Sequence, residues 1–187
     1  MKNLAFILIF FLSLTMQAQM EVGDINLPAV KTNEIDKELN LNGAGIREKF
    51  WMDLYVGSMY VVSKNESAEF YCSSQESVLM KLNIVSNLIT SEKMFNAINE
   101  GFENSAKNPN AELAKKIDLF KNLFTSEEII KGDTFTFSFV PSKGTYIYKN
   151  DTEISLLEGN DFQKALFGIW LGEKPADKNL KKNLLGN

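Results

Sequence analysis

Leu41-Asn42-Gly43-Ala44-Gly45-Ile46-Arg47, running on to Trp51-Met52-Asp53-Leu54-Tyr55-Val56-Gly57-Ser58-Met59-Tyr60-Val61, is the stretch whose reading decides the fold. Glu38 to Ile46 alternates apolar and polar residues, the period of a half-buried strand, and runs into a glycine-rich bend. From Trp51 to Val62 both faces turn apolar, with Trp51, Tyr55, Met59 and Val61 on one and Met52, Leu54, Val56, Tyr60 and Val62 on the other. Such a strand is expected to be central and covered on both sides. Between the two strands stands Arg47. A guanidinium is always charged and offers five donors, so at the end of an interior strand it needs an anion, water or backbone carbonyls. Gly43 and Gly45 let the backbone bend and approach a ligand closely. Tyr55 follows across a short turn near Lys49 and Phe50, and converges on Arg47 if the two share a face. An arginine fork beside a phenol holds a carboxylate by charge-assisted hydrogen bonds. The bland alternative pairs Arg47 with Glu48 or Asp53 and makes Tyr55 a core residue.

Working outward, Ser77 to Val85 reads as the next strand. Ser91 to Ser105 carries Met94, Ile98 and Phe102 at helical spacing with Phe95 beside them, and Thr90 or Ser91 is available as the N-cap. After the break at Asn108-Pro109-Asn110, Ala111 to Phe124 repeats the pattern with Leu113, Ile117, Phe120 and Phe124. Thr134 to Val140 is the clearest strand, because Phe135, Phe137 and Phe139 alternate with Thr134, Thr136 and Ser138. Turn residues Pro141 to Gly144 and Asn150-Asp151 then predict a three-stranded meander through Thr145–Lys149 and Glu153–Leu157. Phe162 to Leu171 is a third long helix with Phe162, Leu166, Ile169 and Trp170 inward; Gly172 and Pro175 end it, and Asp177 caps a short last helix carrying Leu180 and Leu184. Gln19 to Lys31 reads as a short extended lead-in. Antiparallel strands with grouped helices predict an α+β domain, a sheet with helices packed on one face.

The N-terminus sets the expected compartment. Lys2 precedes the apolar run Leu4 to Leu14, which is about half the ~20 residues of a spanning helix, and no stop-transfer pattern follows. Residues 1–18 therefore read as a signal peptide, leaving 19–187 as a single domain exported to the periplasm or secreted, with no stable membrane anchor. The formal net charge of -4, without a basic cluster, argues against nucleic acid and anionic lipid as partners. The single Cys72 forms no internal disulfide and reads as a buried thiol. The absence of histidine removes serine-histidine triads, cysteine-histidine dyads and nearly all zinc sites. No metal and no cofactor is expected.

The Gly-x-Gly-x-Arg stretch, taken with Phe162 to Asp177 (FQKALFGIWLGEKPAD), resembles the chalcone isomerase-like family across nearly all of the mature chain. The resemblance implies an open-faced β-sandwich, a large antiparallel sheet with a layer of helices on one face and a ligand cleft between them. In the plant fatty-acid-binding members, the matching Arg and the Tyr early in the next strand hold the fatty-acid carboxylate; these positions are Arg47 and Tyr55 here. In the flavonoid-cyclising enzymes the same Arg stabilises the attacking phenolate, and a helix supplies a Tyr, a Lys and an Asn. Lys93 matches that Lys, but Thr90 and Ala97 stand where the Tyr and Asn would be, and Ile169 falls at a Thr or Ser of the C-terminal helix. Losing those polar groups removes much of the preorganisation such a cyclisation uses.

The preferred expectation is a non-catalytic binder of a fatty acid or similar apolar carboxylate, anchored by Arg47 with Tyr55 assisting and Lys93 as a further contact. The alternative is an isomerase (an intramolecular lyase) acting on a chalcone-like enone or phenol, with Arg47 as electrophilic stabiliser and Lys93 as acid or base. A third possibility is an interaction module whose cleft is filled by its own side chains.

Overall fold

A computed structural model describes residues 19–73 and 75–187; the expected signal peptide at 1–18 lies outside the described residues. Met20–Val22 (β1) and Ile25–Leu27 (β2) form a small hairpin. Val30–Thr32 (β3), Glu38–Lys49 (β4), Met52–Val61 (β5), Val78–Ile84 (β6), Thr134–Val140 (β7), Gly144–Lys149 (β8) and Thr152–Leu157 (β9) form one antiparallel sheet in sequence order. The helices are Ala68–Ser73 (α1), Ser91–Ser105 (α2), Ala111–Asn122 (α3), Asn160–Leu171 (α4) and Lys178–Leu184 (α5). Every strand of the large sheet pairs with its predecessor, so α2 and α3 are an excursion between adjacent strands β6 and β7. The result is the expected α+β sheet with helices.

The caps follow their side-chain chemistry. Thr90 Oγ1 accepts from the Lys93 amide, Asn110 Oδ1 from that of Leu113, and Asp177 Oδ1 from those of Asn179 and Leu180. Between sheet and helices lies an aromatic core. Phe137 meets Phe120 at 5.5 Å and stacks on Trp170 at 5.7 Å, while Phe135 meets Phe124 at 5.0 Å. Each buried Phe contributes roughly 1.5–3 kcal/mol of transfer free energy. α4 is buried on nearly all sides, which fits its apolar composition.

The opposite sheet face is covered near β4 and β5 by the β1–β2 hairpin, whose Leu27 packs with Ala44 and Val56. The loop after β3 crosses to β7, where Ser138 Oγ donates to Glu34 Oε2 at 2.6 Å. The lead-in is thus three short strands rather than a plain extended segment. α1 was not expected either. Its only buried residues are Tyr71 and Cys72, too few for a periodic signal, and burial pushes the Cys72 thiol up to about 11.

Two expectations near Arg47 need correction. Trp51 does not share a face with Tyr55, Met59 and Val61: it sits in the β4–β5 turn and is 95% exposed. The glycines of β4 also serve a different purpose from the expected approach to a ligand. A Cβ on Gly43 would overlap the Asn183 carbonyl, and one on Gly45 would lie 2.7 Å from the Asn183 side chain. A Cβ on Gly57, opposite Gly45, would lie 3.3 Å from Leu180. These glycines admit α5 onto the sheet.

Candidate functional site: a cleft closed by Arg47 and Tyr55

Arg47 and Tyr55 face each other directly across the β4–β5 ladder. Just beyond them the register slips, so that Glu48 faces Asp53, Lys49 faces Met52, and Leu54 is the extra residue on β5. A bulge re-aims the side chains that follow it. As a consequence Met52, Leu54 and Tyr55 line one cleft together with Arg47 and Lys49. Its other wall is the β6–α2 loop, with Leu88 and Ile89, and the α2 residues Lys93, Met94, Asn96, Ala97 and Glu100. The volume, about 390 Å³, suits a small apolar molecule.

Floor and rim differ in chemistry. Tyr55, Ile89 and Met94 are buried, whereas Lys49, Phe50, Met52, Leu88, Lys93, Asn96 and Glu100 are exposed at the mouth. Arg47 lies between, half-buried, with its Cζ 5.7 Å from the centre of the Tyr55 ring. Its Nε is buried and has no hydrogen-bond partner. Among the described residues no carboxylate lies within ion-pair distance of Arg47. The pairing with Glu48 or Asp53 is therefore not made; those two residues oppose one another.

Tyr55 is 2% exposed, and its Oη accepts a 2.8 Å hydrogen bond from the Trp170 indole N–H. Burial pushes its phenol above the ordinary value near 10, against the opposing pull of the Arg47 charge and of the Trp170 hydrogen bond. The hydroxyl stays protonated, and its oxygen already accepts. What it retains is a proton to donate toward a neighbouring anion.

The cleft brings together all three residues singled out from sequence, but in unequal roles. Lys93 is exposed on the rim, and its Nζ donates to the Leu88 carbonyl at 3.0 Å. Thr90 is occupied as the helix cap. Ala97 lines the wall, as does its neighbour Asn96, which sequence did not single out. Ile169 is not part of the lining and packs instead against Gly101, where a Cβ would lie 2.7 Å from its Cγ2. Trp170, one residue further on, is the member of α4 that reaches the site, through Tyr55. In sequence it read as a core residue; its N–H, which a buried indole must pair, was the available signal.

A larger depression of about 560 Å³ lies at the other end of β4, lined by Asn40 to Ala44, Lys64 and both ends of the described chain. Its polar side chains are amides and one lysine, and the Asn42 amide already donates to the Leu184 carbonyl at 2.8 Å. Chemistry favours the smaller cleft.

The comparisons bear on this geometry. A family model described as chalcone isomerase-like matches residues 19–186. The chain belongs to the chalcone isomerase-like family. Among solved structures, a fatty-acid binding protein of Arabidopsis thaliana matches with a TM-score of 0.66, covering 83% of this chain and 95% of that one at 16% identity. At that identity the match establishes the shared fold of this chalcone isomerase-like chain, a large curled antiparallel sheet backed by helices. No curated protein matches the sequence.

Proposed function

We propose that this chalcone isomerase-like protein is a non-catalytic carrier that binds a fatty acid or a similar apolar carboxylate in the cleft between the β4–β5 hairpin and α2. The observation that carries this reading is the buried, unpartnered Nε of Arg47 beside Tyr55. A buried donor left unpaired costs about 1–3 kcal/mol, and a carboxylate fork relieves that cost. The Tyr55 O–H supplies a second donor, oriented by Trp170. The tail lies along Leu54, Ile89 and Met94 toward the mouth. The fold shared with a fatty-acid binding protein supports the reading.

The isomerase alternative has less behind it. The Lys93 amine is engaged with a backbone carbonyl, Thr90 is engaged as a cap, and the further polar groups Asn96 and Glu100 lie on the exposed rim. We read residues 1–18 as the signal peptide, which puts the carrier in the periplasm or outside the cell.

The test is organic extraction and mass spectrometry of mature protein purified natively, beside folded Arg47→Ala. Fatty acid in the parent and none in the variant is the expected outcome. Two empty samples, even after incubation with fatty acids, contradict the reading.

A further inference from the structure

The tip of the β4–β5 hairpin carries the two most exposed large apolar side chains among the described residues. Phe50 and Trp51 are the two residues between Lys49 and Met52, with φ of 52° and 62°, the left-handed pair of a type I′ turn. That conformation disfavours bulky side chains and favours Asn, Asp and Gly. The chain itself supplies the control. The β8–β9 turn has the same left-handed pair, φ 51° and 62°, and fills it with Asn150 and Asp151. The turn geometry therefore does not ask for aromatics at positions 50 and 51, and the solvent receives them: Phe50 is 74% exposed and Trp51 is 95% exposed.

We propose that this tip inserts into the interfacial layer of a lipid bilayer and holds the mouth of the cleft against it, so that an apolar carboxylate passes between membrane and protein. Three observations favour lipid over a protein partner. The two rings present on the order of 300–400 Å², well short of the roughly 800 Å² per partner of a stable protein interface. Aromatic side chains flanked by long cationic ones are suited to the headgroup boundary, and here the Lys49 Nζ lies 5.9 Å from the centre of the Phe50 ring, with Lys93 on the opposite rim. Finally, the patch is continuous with the cleft, since Phe50, Met52 and Leu88 are both exposed and part of its lining. The net charge of -4 and the rim carboxylate of Glu100 assign the attraction to apolar burial, so neutral lipid suffices. The passage of ligand rests on the carboxylate-binding reading; the insertion does not.

The experiment is co-sedimentation of the mature domain with phosphatidylcholine vesicles, with and without added phosphatidylglycerol, together with tryptophan emission and quenching by brominated acyl chains. The expected result is binding to phosphatidylcholine alone, insensitive to salt, with a blue-shifted and lipid-quenched signal from Trp51; Trp170 is buried and does not respond. Trp51→Gly weakens binding roughly tenfold, and Phe50→Asn with Trp51→Gly abolishes it. Because Gly accepts the left-handed backbone, Trp51→Gly melts no lower than the parent, which separates lost insertion from lost folding. Arg47→Ala keeps vesicle binding whether or not it loses fatty acid, so the two proposals fail independently. The insertion is overturned by the absence of vesicle binding in the parent, by equal binding of Trp51→Gly, by binding that requires anionic lipid and disappears with salt, or by vesicle-free, concentration-dependent protection of Trp51, which would assign the tip to a second copy of the chain.

Discussion

Gly43, Gly45 and Arg47 stand two residues apart on one face of one strand, yet the two ends of that row have opposite surroundings. At the glycine end α5 lies so close to the sheet that no side chain fits: Gly43 and Gly45 meet Asn183, and Gly57 across the ladder meets Leu180. At the arginine end the helix layer stands off, and the row continues as Arg47 opposite Tyr55, with a cleft above them. A Gly-x-Gly-x-Arg pattern thus encodes a helix seat followed by one wall of a cleft. The glycines do not approach a ligand; they let α5 close one end of the strand pair, while a bulge at Leu54 re-aims the other.

The sharpest way to break this contrast is at the seat. Gly43→Ala forces a Cβ onto the backbone of α5, which has no soft side chain to yield, so we expect a loss of about 3 kcal/mol and a thermal midpoint lower by roughly 6–12 °C. Fatty-acid affinity of the folded fraction should be unchanged. A drop in affinity matching the drop in stability would mean the two ends are one unit.

A smaller effect distinguishes the buried phenols from the surface. Burial raises Tyr55 above 10 and Tyr60 to about 12. A folded value above the unfolded one means that the native state holds more protons above pH ~10. Stability is therefore intact below pH ~10 and declines as pH rises toward ~12, by on the order of 1 kcal/mol at pH ~11. Chemical denaturation at pH 8 and pH 11 measures this, and Tyr60→Phe should flatten much of the decline.

The least disruptive change addresses the site end alone. Trp170→Phe keeps the ring stacked on Phe137 but removes the N–H that orients Tyr55, at a cost of about 1 kcal/mol in stability. Affinity for a fatty acid should fall a few-fold, whereas affinity for its ester, which lacks the carboxylate, should not change. Equal losses for both would reduce Trp170 to packing.

These particular residues also mark where sequence ceases to inform. The long periodic elements were legible: α2 begins and ends where its pattern does, and the Phe135-Phe137-Phe139 alternation faces the helices as written. So was the meeting of Arg47 with Tyr55, because a hairpin with a short turn leaves few registers. The bulge was not, since nothing in Asp53-Leu54-Tyr55 says which residue the ladder skips, and that single slip moves Met52 to the cleft side. The turn was misplaced because Phe50-Trp51 contradicts turn propensity, so a strand reading absorbed Trp51. β1, β2 and β3 are three residues each, too short for any period to emerge. The purpose of the glycines depends on α5, about 140 residues away in sequence, a contact that local pattern does not contain.

The central claim is that Arg47 holds a carboxylate, and titration calorimetry with dodecanoic acid and its methyl ester, on the parent and on Arg47→Ala, tests it most directly. The account predicts that the parent prefers the acid over the ester by on the order of a hundredfold, that the preference disappears in the variant, and that acid binding weakens as pH falls through the carboxyl range of about 4–5. Equal affinity of the parent for acid and ester, or an undiminished preference in Arg47→Ala, would contradict it.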